Sequence, residues 1–292
     1  ILSKTSKSYI MRYVFANFTT GLNQYDRTKF FNLCAKKPVT SVLVTIVHPN
    51  EIQKAIEYAR LRKNEVDVWI DSGAFTVWNT GGSISAKWYE RQITNVKPIL
   101  KDFKNAFFVS LDEIPGKKGK PVTKKHVQEA TEKSVENAEY LLSKGHKVIP
   151  VHHQGEDKSV FEHYLTLTDY VGISPANDKS INSRVNYVKS LLPCVKEIKS
   201  PPPCHSFGNV SPRITEAFPF YSVDSASWKI GIYYGQDYKC TNYKKEPKQN
   251  KFVSIRSKFQ KSQILSETVD KTLIYENDMT RLWEKRGIIP NE

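Results

Sequence analysis

The stretch Phe220-Tyr221-Ser222-Val223-Asp224-Ser225-Ala226-Ser227-Trp228 is a short apolar run that ends in an aspartate among small hydroxyl side chains. Read as a buried strand, Phe220 to Val223 leaves Asp224 just past its C-terminal end, with little bulk around it. That is where α/β proteins present reacting groups. Trp69-Ile70-Asp71-Ser72-Gly73-Ala74-Phe75 and Val109-Ser110-Leu111-Asp112-Glu113 repeat the arrangement. Three aspartates that each end an apolar run call for one explanation.

The rest of the chain supplies the setting. Strands are expected at Tyr9 to Phe18, Ser41 to Val47, Val66 to Ile70, Ala106 to Leu111, Lys147 to Val151, Tyr170 to Ile173, Pro203 to Phe207 and Phe220 to Val223. Helical stretches alternate with them: Gln24 to Lys36, Glu51 to Arg62 capped by Asn50, Ser85 to Leu100, Thr123 to Lys144, Asp157 to Leu167, Ser180 to Lys199 with a break near Pro193, a helix opened by Ser211-Pro212, and Ser262 to Lys285. Eight strands alternating with helices predict a single-domain (β/α)8 TIM barrel over 1–292. A doubly wound open sheet is the alternative, but no Gly-rich phosphate fingerprint follows the first strand.

Lys and Arg number 44 against 30 acidic residues, giving a net charge of +14 and a pI near 9.4. Such a balance points to a polyanionic partner, most simply nucleic acid. Cys34, Cys194, Cys204 and Cys240 are scattered without zinc-type spacing, as expected of reduced thiols in a cytoplasmic protein. No apolar stretch approaches the ~20 residues a membrane span needs, and the first residues carry no signal-type apolar core. No membrane association is expected.

In a barrel every strand end opens onto one face. Those ends carry Asp71, Asp112, His153 with Gln154, Gly172 with Ser174, Ser206 with Gly208, and Asp224. A carboxylate in such a pocket can attack a sugar carbon and form a covalent glycosyl ester. A second can move protons to and from the heterocycle, and Asp and Gln can read the edge of a purine. Of His152 and His153, one is expected to face the pocket and one to pack; His205 is expected to pack beside the seventh strand.

Asp71-Ser72-Gly73-Ala74-Phe75 resembles the D-S-G-G-F signature of tRNA-guanine transglycosylases, barrel enzymes that exchange guanine for a 7-deazaguanine base. The resemblance continues in order through Leu111-Asp112-Glu113, Gln154-Gly155, Gly172-Ile173-Ser174, Phe207-Gly208 and Val223-Asp224-Ser225. It spans Asp71 to Trp228. It implies that Asp224 is the nucleophile at C1′ and that Asp71 transfers protons beside the base. It also implies that Asp112 reads the ring N–H and amino group of guanine, while Gln154 and the Gly172 N–H bind its O6. Phe75 and Phe207 would sandwich the base, with core packing as the alternative for both, and Ser72, Ser174 and Gly208 would line the same pocket. No metal and no redox cofactor are implied.

The departures from the family are informative. The C-terminal C-x-C-x2-C…H zinc site of the tRNA enzymes has no counterpart, because only Cys240 and no His follow Asp224. The Thr-Arg stretch after their nucleophile is replaced by Ser225-Ala226-Ser227-Trp228. The chain is most similar to the relatives in phages and bacterial genomic islands that insert 7-deazaguanines into DNA. A basic insertion at about 229–261, with Lys239, Lys244, Lys245, Lys248, Lys251, Arg256 and Lys258 interleaved with aromatics, is expected to hold phosphates and unstacked bases. Lys117, Lys118, Lys120, Lys124 and Lys125 could flank the same mouth. The expected substrates are DNA, guanine and a free 7-deazaguanine such as preQ0, with a partner protein as one source of strand opening. Exchange on tRNA without zinc, a non-catalytic nucleic-acid-binding subunit and a hydrolytic N-glycosylase are the alternatives.

Overall fold

A computed structural model of the chain describes residues 11–116, 119–229 and 258–287, with side chains in the last span from 265 onward. The short apolar runs form strands as expected, because a run buried on both faces has no polar side to turn to water. They are β1 (Arg12–Ala16), β2 (Ser41–Thr45), β3 (Asp67–Asp71), β4 (Asn105–Val109), β5 (Val148–Ile149), β6 (Val151–His153), β7 (Val171–Ser174), β8 (Cys204–Ser206) and β9 (Ser222–Ser225). All pair in parallel, in the order β5-β4-β3-β2-β1-β9-β8-β7-β6.

The two ends of that order are halves of one strand. Val148 and Ile149 pair with β4, whereas Val151 to His153 pair with β7. Between them stands Pro150, which has no N–H to donate. Its carbonyl still accepts from Gly172 N–H at 2.8 Å, and the Ile149 carbonyl accepts from Ser110 N–H at 2.8 Å on the other side. Counted this way the sheet is an eight-stranded closed barrel, the architecture expected from the sequence.

The outer ring is α1 (Gln24–Cys34), α2 (Pro49–Leu61), α3 (Ala74–Asn79), α4 (Ala86–Val96), α5 (Lys124–Ser143), α6 (Lys158–Leu167), α7 (Ile181–Lys196), α8 (Pro212–Thr215) and α9 (Lys258–Lys285). Three local expectations are corrected. Asn50 does not cap α2, which begins at Pro49 after His48 because proline suits the first helical turn. α7 runs unbroken through Pro193, and its C-cap N–H at Glu197 bonds back to the Pro193 carbonyl at 3.1 Å. The last helix starts at Lys258, not Ser262. α9 completes the ring between α8 and α1: Trp283 Nε1 donates to Thr215 O at 2.8 Å, and Lys37 Nζ reaches Ser266 O and Asp270.

The barrel lumen is packed. Val14, Trp69, Ile149 and Tyr170 form its core, with Leu43, Phe107, Phe207 and Tyr221 against them. Below this plug the buried Asp67 carboxylate is shared by the Arg12 guanidinium and by Asn105 Nδ2 at 2.7 Å. The described helices include none long and apolar enough to cross a membrane.

Arg12→Ala strips Asp67 of its cation and leaves a buried carboxylate with one amide partner. It should cost about 2–3 kcal/mol, read as a lower denaturant midpoint at unchanged slope. Adding Asp67→Asn to that variant should recover part of the loss.

Candidate active site

Each strand end that carries chemistry is fixed by its own local device. At β3, Gly73 takes φ 79°, and its N–H donates to Asp71 Oδ2 at 2.9 Å, so the carboxylate closes a turn and stays at the mouth. A Cβ at Gly73 would meet the Val47 methyls at 2.6 and 2.7 Å, which explains the glycine twice over. At β4, Asp112 sits in a segment clamped by α5: Asn137 Nδ2 donates to Leu111 O at 3.1 Å, and Glu113 N–H donates to Ser134 Oγ at 2.8 Å. At β9, Asp224 pairs in register with Val14 of β1, and Trp228 anchors the following turn by donating Nε1 to Ala16 O at 2.9 Å.

These devices bring the three aspartates together. Burial, and after it the carboxylates of Asp112 and Asp224, lift the Asp71 pKa to about 7 against the pull of the Gly73 N–H and the Thr45 hydroxyl. Asp224 itself is buried. Its Oδ1 accepts from Gly208 N–H at 2.8 Å and from His205 Nε2 at 3.1 Å, whereas Oδ2 accepts no hydrogen bond among the described residues. Gly208, with φ 62°, thus contributes its backbone to the site.

The fifth strand orients its residues differently from what the family resemblance implies. Ile149 points into the lumen, and alternation along the strand carries His153 inward. His153 Nε2 lies 3.0 Å from Asp112 Oδ2, a charge contact whose angle is outside that of a directional hydrogen bond. Burial opposes charging this ring, but Asp112 and the buried Glu156 outweigh it and raise its pKa. His152 and Gln154 turn outward to α7. Tyr187 OH meets His152 Nδ1 at 2.7 Å; burial lowers the His152 pKa to about 4 and keeps the ring neutral. Gln154 Nε2 donates to Ser183 Oγ at 2.9 Å, and its Oε1 accepts from Ala176 N–H at 3.1 Å. The Gln154 amide and the Gly172 N–H, both expected on O6 of a base, are therefore engaged within the protein.

The remaining residues fall around this centre. Phe207 packs over Gly172, where a Cβ would come within 2.5 Å of its ring. Phe75 is 61% exposed and stacks on Trp78 at 6.0 Å, a flat apolar surface at the rim. Ser72 is buried and accepts from Ala74 N–H at 3.3 Å, and Ser174 is half-buried at the end of β7. Lys239, Lys244, Lys245, Lys248, Lys251 and Arg256 lie outside the described residues, as do Lys117, Lys118 and the side chain of Lys258. His205 packs at the seventh strand as expected, but its link to the site was not foreseen. It lies in the lumen, stacked on Trp69 at 6.1 Å and bonded to Asp224. The available signal was alternation, since His205 and Phe207 share a face of one strand.

Comparison with known proteins defines the class by its fold. No protein-family model matches the chain, and no curated protein matches its sequence. Among solved structures, one described as a fructose-1,6-biphosphate aldolase from Coccidioides immitis superposes with a TM-score of 0.52 at 10% identity, covering 94% of this chain and 92% of that one. The tryptophan synthase α-subunit of Pyrococcus furiosus gives 0.44 at 8% identity, covering 90% and 99%. What the chain shares with the first of these is the (β/α)8 barrel.

Asp71→Asn tests the carboxylate cluster without any substrate. A carboxyl whose folded pKa exceeds its unfolded value takes up a proton on folding, so it erodes stability as pH rises from about 4 through about 7. The variant should therefore melt higher than wild type at pH 8, and the gain should vanish at pH 4. An equal shift at both pH values would deny the coupling.

Proposed function

We propose that the protein is a base-exchange transglycosylase that replaces guanine in DNA with a 7-deazaguanine such as preQ0. The observation that carries this reading is the convergence of Asp71, Asp112 and Asp224 from three strand ends, with Asp224 held through Oδ1 alone. Its Oδ2 attacks C1′, the C1′–N9 electron pair leaves with guanine, and Asp71 gives the departing base its proton. The incoming base returns a proton to Asp71, its nitrogen attacks C1′, and the ester opens to restore both carboxyl groups. A group that must both give and take a proton near neutrality suits a pKa of about 7.

Recognition follows the groups that are free to act. Asp112 can accept from the ring N–H and amino group of guanine, and a protonated His153 beside it can donate to O6. That assignment gives His153 the task the family resemblance gives Gln154 and Gly172. Phe75 offers a face for the base once it is flipped from the stack. The basic stretch from Lys239 to Lys261 supplies the phosphate contacts.

Cells expressing the chain with a deazaguanine supply should yield the modified nucleoside from DNA and not from tRNA; the reverse result would move the substrate to tRNA. Asp224→Ala should abolish exchange and the covalent protein–DNA adduct on denaturing gels while leaving DNA affinity nearly intact. Guanine release should be fastest below about pH 7 and fall above it, as Asp71 loses its proton. Neutralising four lysines of the Lys239–Lys261 stretch should flatten the salt dependence of DNA binding by roughly three to four units of slope.

A further inference from the structure

A line of buried polar groups runs through the apolar lumen to Asp224. Tyr170 OH bonds Ser222 Oγ, Ser222 Oγ meets His205 Nδ1 at 2.5 Å, and His205 Nε2 meets Asp224 Oδ1 at 3.1 Å. His205 and Ser222 are fully buried and stand opposite each other in the β8–β9 register. Trp69 stacks on the imidazole at 6.1 Å and Phe207 lies against it at 4.3 Å, so no water shell competes for these bonds.

The chemistry of the groups gives the line a direction. Asp224 Oδ1 is an acceptor, already taking the Gly208 N–H, so Nε2 must carry a proton. In the neutral ring Nδ1 is then the acceptor, and the Ser222 hydroxyl donates to it. Ser222 Oγ in turn accepts the Tyr170 O–H, and burial raises the tyrosine pKa, which keeps that proton in place. Each group donates to the next, ending at one oxygen of one carboxylate.

We propose that His205 is the positioning residue of Asp224: with the Gly208 N–H it holds Oδ1 and leaves Oδ2 as the only atom able to attack, its tautomer locked by Ser222 and Tyr170. The same two donors remain on Oδ1 when Oδ2 carries a glycosyl group. They then stabilise the charge that returns to the carboxylate as the ester opens, so His205 serves both halves of an exchange. The inference rests on the reading of Asp224 as nucleophile, but not on which nucleic acid or base is used.

The experiment compares wild type, Asp224→Ala, His205→Gln, His205→Phe and Ser222→Ala. Exchange of labelled guanine into a guanine-containing single-stranded oligodeoxynucleotide and into tRNA is the activity readout. Long-range 1H–15N spectra of histidine-labelled protein read the tautomer without any substrate. Wild-type His205 should carry its proton on Nε2, and Ser222→Ala should convert it partly to the Nδ1–H form. His205→Phe, which fills the space but donates nothing, should lower kcat by about 100-fold with KM nearly unchanged. His205→Gln, which keeps a donor, should recover at least about a tenth of wild-type kcat. An Nδ1–H tautomer in the wild type would overturn the proposal even if no exchange is detected. An inactive Asp224→Ala beside a fully active His205→Phe would overturn it while leaving the nucleophile in place. Activity persisting in Asp224→Ala would instead remove the nucleophile itself, and the positioning role with it.

Discussion

A parallel sheet has no edge only if its last strand meets its first, and here that meeting rests on the stretch from Val148 to His153. One side of it feeds β4 and the other feeds β7, with Pro150 between. A proline in a central strand removes a ladder bond, which ordinarily confines it to edges. Its carbonyl nevertheless holds Gly172 N–H, so closure costs one donor and no acceptor. Everything at the mouth depends on this closure. Asp71 and Asp112 stand on one flank of the stretch, Gly208 and Asp224 beyond the other, and only a closed ring lets them share a pocket.

Much of the fold was legible because parallel strands buried on both faces read as short apolar runs between helices. The three carboxylates were legible for the same reason: each interrupts such a run at its end. What escaped was direction. Gln154 and Gly172 were assigned to the pocket by resemblance, yet alternation from Ile149 turns Gln154 outward, and Gly172 is required there by the Phe207 ring. His205, between Cys204 and Ser206, looks like an ordinary core histidine. Only its register opposite Ser222, two residues before Asp224, reveals it as part of the site. Cap chemistry escaped too, since Asn50 is a good capping residue that stands one place inside a helix Pro49 had already begun.

The electrostatics of the mouth explain why donors are distributed unequally. Three carboxylates at one mouth, Asp224 buried and Asp71 and Asp112 half-buried, repel one another, and a donor or a proton must offset that repulsion. Asp224 receives two donors on a single oxygen, and Asp112 has His153 beside it. Asp71 has the Gly73 N–H and the Thr45 hydroxyl against burial and two neighbouring charges, and its pKa rises to about 7. The proposed division into nucleophile, reader and proton carrier therefore does not require three different residue types. Burial and the groups around each strand end suffice to set the three carboxyls apart.

That division also accounts for the polar line in the lumen. A barrel of this size could fill its centre with branched aliphatic side chains, and Val14, Leu43 and Ile149 do so on one side. Tyr170, Ser222 and His205 occupy the other side, where each buried polar atom must find a partner or cost stability. A fully paired line ending on a carboxylate meets that demand only if every proton points the same way. Replacing Asp224 by an apolar residue would leave Nε2–H without its side-chain acceptor, so Asp224 also completes the bonding of the core beneath it. The core's polar line ends at one oxygen atom, Asp224 Oδ1, and the proposed reaction falls to the other.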